Sequence, residues 1–269
     1  MSPTVIGCCL LVFNFFNFNL DQTFNFLEPI KLSFESFFHK NPLPIQTEKA
    51  KSYTIAMVGD SMTQFFGSAE VLKASLKKYY PDREFGILNF GIGSTNILSV
   101  PDRLTKESKR ENETLPPILD TKPDILFLES FGNNPLSHLK INEGLKKQTE
   151  TLDQIVKIIK EKQPNTVLVF VATIAPSKER YAEGVTNLMP DQRRQWAEER
   201  MSYIENHINY AKSHNIPLVN VYKKSFNEKG EANIDYVNSV DFIHPSVTGI
   251  QFIGDQIADK VYKDQIIRN

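Results

Sequence analysis

The segment 166–172 is apolar almost throughout and rich in β-branched residues. A strand of this composition is stable only where both of its faces are covered, as in the middle of a parallel sheet. Parallel neighbours must be joined by long crossover connections, which usually contain a helix. This segment therefore favours folds in which helices cover both faces of a parallel sheet.

The chain from residue 51 onward supplies the other elements of such a fold. Apolar residues recur on one face of 141–162, among them Leu145, Leu152 and Ile159, which indicates an amphipathic helix. The sequence predicts strands over 55–58, 84–90, 124–128, 166–172 and 216–221, and helices over 64–80, 141–162, 191–214 and 246–262. Five strands with intervening helices predict a single α/β domain, a three-layer α/β/α sandwich around a five-stranded, mostly parallel sheet.

Residues 1–50 are predicted to form an N-terminal segment and linker before a domain over 51–269. Val5 to Phe13 are an unbroken apolar run, but the run is shorter than the ~20 residues of a membrane span and lacks preceding basic residues. Two interpretations stay open: a degraded export signal or anchor, and a segment that packs on the domain. Compartment and oligomeric state stay unknown, with export or weak membrane association through this segment slightly favoured over the cytoplasm.

Charge and cysteine content exclude several classes of function. The 31 Lys and Arg residues balance 32 Asp and Glu residues, and a net charge of −1 argues against a nucleic-acid partner. Cys8 and Cys9 both lie in the N-terminal segment, which excludes a disulfide, a thiolate nucleophile and a cysteine-bound metal from the domain. No cluster of His, Asp and Glu has the spacing of metal ligands, so we predict neither a metal nor a cofactor.

Small and polar residues follow the predicted strands at their carboxyl ends, where open α/β sheets bind their ligands. They occupy 59–61, 89–96 and 131–135, and a further group at 241–245 precedes the last helix. An acyl-transfer site needs a nucleophile, a base, a group that orients the base, and donors for an oxyanion. These segments contain all four. Taken alone, Asp60 and Ser61 are typical of a turn or a helix N-cap, and we assign Asp60 a structural role.

In this order, the four segments resemble blocks I, II, III and V of the GDSL-type, or SGNH, hydrolase superfamily, over about residues 53–262. The resemblance implies the flavodoxin-like SGNH hydrolase fold and a serine esterase or lipase that cleaves O-acyl esters through an acyl-serine intermediate. It implies that Ser61 is the nucleophile, that His244 is the general base, and that Asp241 holds the base in its working tautomer.

The resemblance also implies an oxyanion hole, with one departure from the family pattern. The Gly-x-Asn of block III falls on Gly132 to Asn134, so Asn134 is the implied side-chain donor and Asn133 a less favoured neighbour. Block II places Ser94 where the family has its last glycine, and Gly93 stands one residue early. We therefore carry both Gly93 and Ser94 as backbone donors, beside the backbone N–H of Ser61.

Three hypotheses follow, with different partners. The first is a hydrolase of a small-molecule, glycan or lipid ester, such as an acetylated glycan or a lysophospholipid. The second is a non-hydrolytic or acyl-transferring relative that acts on cell-envelope glycans, and the third is a flavodoxin-like binder that shares only the topology.

Several other polar residues have simpler interpretations. We predict that His39, His207 and His214 lie at the surface and that Arg200 belongs to the solvated face of its helix. Glu129, which ends the third predicted strand, is either a hydrogen-bond acceptor behind the site or an ordinary strand end.

Overall fold

The computed structural model describes residues 52–267, which fold around one parallel sheet. The strands are β1 (Ser52–Gly59), β2 (Glu84–Gly91), β3 (Ser108–Arg110), β4 (Glu113–Leu115), β5 (Ile125–Glu129), β6 (Val167–Ala172) and β7 (Leu218–Asn220). The helices are α1 (Ser61–Gln64), α2 (Glu70–Tyr79), α3 (Val100–Thr105), α4 (Ile141–Lys162), α5 (Pro190–Ser213), α6 (Val221–Lys224) and α7 (Val247–Lys263). Single 3₁₀ turns occupy Ile97–Ser99, Ile118–Thr121 and Ile234–Tyr236.

The main sheet has five strands in the order β2-β1-β5-β6-β7, and each adjacent pair is parallel. Alternate residues of its strands enter two separate cores. Met57 and Phe127 pack with α2 and α7 on one face, whereas Val58 and Leu128 pack with α3 and α4 on the other. This double coverage explains why β6 is apolar throughout. The predicted three-layer α/β/α fold is confirmed.

The predicted helix over 64–80 is wrong in its extent, because the structure has two helices there. α1 ends at Gln64 and α2 begins at Glu70. Gly67 (φ +53°) and Ala69 (φ +58°) adopt left-handed backbone between them, which a continuous right-handed helix does not allow. Phe65 lies at this break.

The segment 97–122, between β2 and β5, contains ordered structure. Its short strands β3 and β4 form an antiparallel hairpin, in which Ser108 pairs with Leu115 and Arg110 with Glu113. The Arg110 guanidinium donates to the Asn89 carbonyl at 2.7 Å and ties the hairpin to the end of β2.

Two surface predictions are wrong. His207 is fully buried and its ring stacks on Phe170 with centroids 4.2 Å apart. Arg200 is also buried, and its Nε donates to the Tyr181 hydroxyl at 3.1 Å. The α5 helix is long and contacts both β6 and α4, so its polar residues do not all reach solvent.

The predictions for residues 1–50, including the anchor and His39, lie outside the described residues. No helix between residues 52 and 267 combines the length and apolar character that crossing a bilayer requires.

Candidate active site

Ser61 lies where strand β1 ends and helix α1 begins. Asp60 caps this helix, as predicted, because its Oδ1 accepts the backbone N–H of Met62 at 2.8 Å. Helix α1 also requires a glycine on the neighbouring strand β2, because a Cβ on Gly91 would overlap the backbone of Gln64. The end of β2 can therefore pack directly against the helix that begins at Ser61.

His244 and Asp241 form a hydrogen-bonded pair in the loop before α7. His244 Nδ1 and Asp241 Oδ2 are 2.8 Å apart. Asp241 Oδ1 also accepts the backbone N–H groups of Ile243 and His244, at 2.8 and 3.0 Å. Burial opposes ionisation of Asp241, but these hydrogen bonds outweigh it and hold the pKa of the carboxyl below its ordinary value. An ionised Asp241 that accepts from Nδ1 leaves Nε2 of His244 available to take up a proton.

The structure brings this pair to the helix that carries Ser61. The His244 ring lies flat against Phe65, with centroids 4.1 Å apart and an interplanar angle of 5°. The Phe65 N–H donates to the Ser61 carbonyl at 3.0 Å, so Phe65 is one helical turn beyond the serine. Within residues 52–267 no hydrogen bond joins the Ser61 hydroxyl to His244. Such catalytic contacts are often long in unliganded enzymes and tighten when substrate binds.

Of the block II residues, Gly93 lies beside Ser61 and Ser94 follows it, and their N–H groups differ. A Cβ built on Gly93 would stand 3.6 Å from Ser61 Cβ. The Gly93 N–H donates to Gln64 Oε1 at 2.7 Å, so it already has an acceptor. Ser94 has left-handed backbone (φ +58°), and its N–H makes no hydrogen bond to the residues that the structure describes.

The two block III asparagines have different partners. Asn134 Nδ2 donates to Asp60 Oδ2 at 2.8 Å, and a primary amide has a second N–H that this contact leaves free. Asn133 is buried and its Oδ1 accepts from the Tyr181 hydroxyl at 3.0 Å. Asn133 is therefore engaged in packing. The sequence also favours it less than Asn134 as an oxyanion donor.

Comparison with known families identifies the family of the chain. The model of the GDSL-like lipase/acylhydrolase family matches residues 57–252. The chain belongs to this family. Its members are ester hydrolases, so the predicted superfamily and the predicted class of enzyme are both confirmed.

Solved structures share the fold of this GDSL-like chain. The lipase/acylhydrolase from Enterococcus faecalis is 15% identical with a TM-score of 0.56, and the match covers 79% of this chain and 96% of that one. A GDSL-like lipase from Parabacteroides merdae is 20% identical with a TM-score of 0.58, covering 80% and 97%. An acetyl xylan esterase, AlAXEase, is 17% identical with a TM-score of 0.54, covering 79% and 99%. Among curated proteins, none matches the chain.

Beneath the site of this GDSL-like domain lie two buried carboxyl groups, Asp60 and Glu129. Glu129 ends β5, directly beside the end of β1, and its Oε1 accepts from the Ser130 hydroxyl at 2.7 Å. Burial and the neighbouring charge of Asp60 raise the pKa of Glu129 well above its ordinary value. Burial also raises the pKa of Asp60, but the hydrogen bonds from Asn134 and Met62 oppose this. Burial therefore favours the protonated form of Glu129 more than that of Asp60, whose hydrogen-bond donors favour its charged form.

Arg103 is a buried residue beneath the site, near Asp60, that the sequence analysis did not identify. It lies on α3 and donates to the carbonyls of Gly59, at 3.3 Å, and Phe90. Burial lowers the pKa of Arg103 to about 10, and the charge of Asp60 opposes the shift. The guanidinium thus joins the ends of β1 and β2. Its segment carried no recognisable motif, so only the fold could reveal this role.

Proposed function

We propose that this enzyme hydrolyses an O-acyl ester, with Ser61 as nucleophile, His244 as general base and Asp241 as its orienting carboxylate. One observation supports this most strongly. The His244 imidazole is hydrogen-bonded to Asp241 through Nδ1 and stacks on Phe65, the residue that ends the helix carrying Ser61. A Ser-His-Asp hydrolase needs a serine nucleophile, a histidine base and a carboxylate that orients the histidine.

The reaction begins when Ser61 Oγ attacks the carbonyl carbon of the ester. His244 Nε2 takes the hydroxyl proton as the new C–O bond forms, and the carbonyl electron pair moves to the oxygen. The tetrahedral intermediate collapses, the ester C–O bond breaks, and the imidazolium returns the proton to the leaving alkoxide. Water then attacks the acyl-serine with His244 again as base, which releases the acid and restores Ser61.

The oxyanion of both tetrahedral intermediates requires donors fixed in advance. We assign this role to the backbone N–H of Ser94, the backbone N–H of Ser61 and the second N–H of the Asn134 amide. Gly93 was predicted together with Ser94, but its N–H already serves Gln64. In this assignment Gly93 lies close to Ser61 without donating to the oxyanion, and Ser94 supplies the backbone donor.

The proposal leaves the substrate open between an acetylated glycan, a lipid ester and a short-chain ester. One of the solved structures of this fold is an acetyl xylan esterase, which makes acetylated glycans a reasonable first substrate class to assay.

The test combines covalent labelling with turnover. Purified full-length protein is treated with a fluorophosphonate probe, the adduct is located by peptide mass spectrometry, and release of p-nitrophenol from p-nitrophenyl acetate is followed in parallel. We expect one adduct on Ser61, steady turnover, and loss of both in Ser61→Ala. Label and a single burst without steady turnover, relieved by added sugar acceptors, would favour acyl transfer over hydrolysis. The absence of both the label and the turnover would overturn the proposal.

A further inference from the structure

Phe65 is an aromatic side chain in the site that no family block assigns. We propose that Phe65 is a positioning residue, which holds the His244 imidazole in the orientation needed for proton transfer with Ser61. The inference rests on the proposed function, since it concerns the same general base.

Packing of the hydrophobic core does not explain the placement of Phe65. Its side chain is 42% exposed, whereas the neighbouring Phe66 is 8% exposed and belongs to the core on the α2 and α7 face. Phe65 is therefore outside the core, and its parallel stack on the His244 ring points to a role at that ring.

The contact supplies a constraint that Asp241 alone does not. The hydrogen bond at Nδ1 fixes one edge of the imidazole, but the ring can still tilt about that bond. The Phe65 ring covers one face at a centroid distance of 4.1 Å and lies within 5° of parallel, which prevents tilting towards that side. Together the two contacts define the direction in which Nε2 points.

The constraint also ties the base to the nucleophile's own helix. Phe65 follows Ser61 by one turn and its N–H donates to the Ser61 carbonyl at 3.0 Å. Phe65 is the C-cap of α1, and the left-handed residues Gly67 and Ala69 follow it before α2 begins. His244 arrives from a loop near the other end of the chain, and Phe65 sets its position relative to the serine.

The same stack favours the charged form of the base during the reaction. When His244 takes the serine proton it becomes an imidazolium, and a cation is attracted to the face of an aromatic ring. Phe65 therefore stabilises the state in which His244 carries the serine proton. Its removal should lower kcat more than it changes KM.

The experiment compares three variants with the wild-type enzyme, using p-nitrophenyl acetate kinetics and the rate of fluorophosphonate labelling. Phe65→Leu keeps an apolar side chain but removes the flat ring, and Phe65→Tyr keeps the ring. Tyr262→Leu is the matched control, because Tyr262 is also 42% exposed and stacks on Tyr79 at 4.7 Å between α2 and α7. Thermal unfolding of each variant is measured alongside.

We expect Phe65→Leu to lower kcat and the labelling rate about tenfold with KM little changed, the size of effect that one aromatic contact supports. Phe65→Tyr should stay within about twofold of wild type, and Tyr262→Leu should leave the kinetics unchanged. Wild-type kcat in Phe65→Leu, equal losses in the Leu and Tyr variants, or a change confined to KM would each overturn the inference. An inactive and unlabelled wild-type enzyme would instead overturn the proposed function, and the inference with it.

Discussion

The loop that carries His244 and the segments that carry Ser94 and Asn134 are held in place by different kinds of contact. Asp241 accepts hydrogen bonds from groups no more than three residues away. Asn134 is instead held by Asp60, 74 residues earlier in the chain, and Ser94 keeps a left-handed backbone. The hydrogen bonds of the Asp241–His244 pair are therefore local to its loop, whereas the Asn134 donor depends on a contact between segments distant in sequence. Substitutions on the two sides should have separable effects.

The largest effect is expected where the local organisation of the base is broken. Asp241→Asn keeps the size of the side chain but removes the charge and favours the wrong tautomer of His244, so kcat should fall about 10⁴-fold. Hydrolysis of p-nitrophenyl acetate measures this. The matched control is Asp259→Asn, which removes a surface partner of Lys263 and should leave kcat unchanged. A loss below tenfold in Asp241→Asn would contradict the assigned role.

A smaller loss is expected on the oxyanion side. Asn134→Ala removes one donor to the developing charge, and kcat should fall about 10²–10³-fold with little change in KM. Asp60→Asn places an amide against the Asn134 amide and should lower kcat about tenfold, because the donor loses the acceptor that orients it.

The double variant separates a shared role from two independent ones. If Asp60 acts through Asn134, the combined substitution should lose no more activity than Asn134→Ala alone. Additive losses would show that Asp60 acts by another route, for example through Glu129.

The local side of the comparison is also the part that the sequence could predict. The Asp241–His244 spacing, the apolar run of β6 and the periodicity of α4 are all properties of short stretches, and each appears where expected. Glu129 lies beside Asp60 because β1 and β5 pair. This position fits the interpretation of Glu129 as a hydrogen-bond acceptor behind the site. Short-range patterns succeed because the contacts concerned are close in sequence.

Features that depend on contacts distant in sequence escaped prediction. The break between α1 and α2 also escaped prediction, but for a local reason: Ala69 adopts a left-handed backbone that glycine usually takes. Gln64 accepts the Gly93 N–H across 29 residues, which changes the choice of oxyanion donor. Arg103 and His207 are polar residues whose burial follows only from how their helices meet the sheet.

His207 offers a way to separate effects of pH on the site from effects on the fold. Burial lowers the pKa of His207 to about 3 in the folded state, against about 6.5 in the unfolded chain. Between these values the unfolded state binds the extra proton, so stability is retained above pH 6.5 and lost as the pH falls. The free energy of unfolding should drop by about 2 kcal/mol between pH 7 and pH 5 from this residue alone.

Urea denaturation across that range, for the wild type and for His207→Leu, measures the contribution. The variant is expected to be less sensitive to acid, since it removes the titrating group. His138→Gln, at an exposed position, should keep the wild-type pH dependence. Identical slopes in the wild type and His207→Leu would show that this histidine does not control acid sensitivity.

The smallest effect concerns Ser94, where function and backbone conformation meet. A non-glycine residue at φ +58° is strained, so Ser94→Gly should raise the free energy of unfolding by about 0.5–1 kcal/mol. Because the proposed donor is the backbone N–H, kcat should stay within about twofold in both Ser94→Gly and Ser94→Ala. Thermal unfolding and ester kinetics provide the two measurements. If both variants instead lose activity to the same extent, the serine hydroxyl is the donor, and the departure of block II from the family pattern is then a change of chemistry and not of backbone alone.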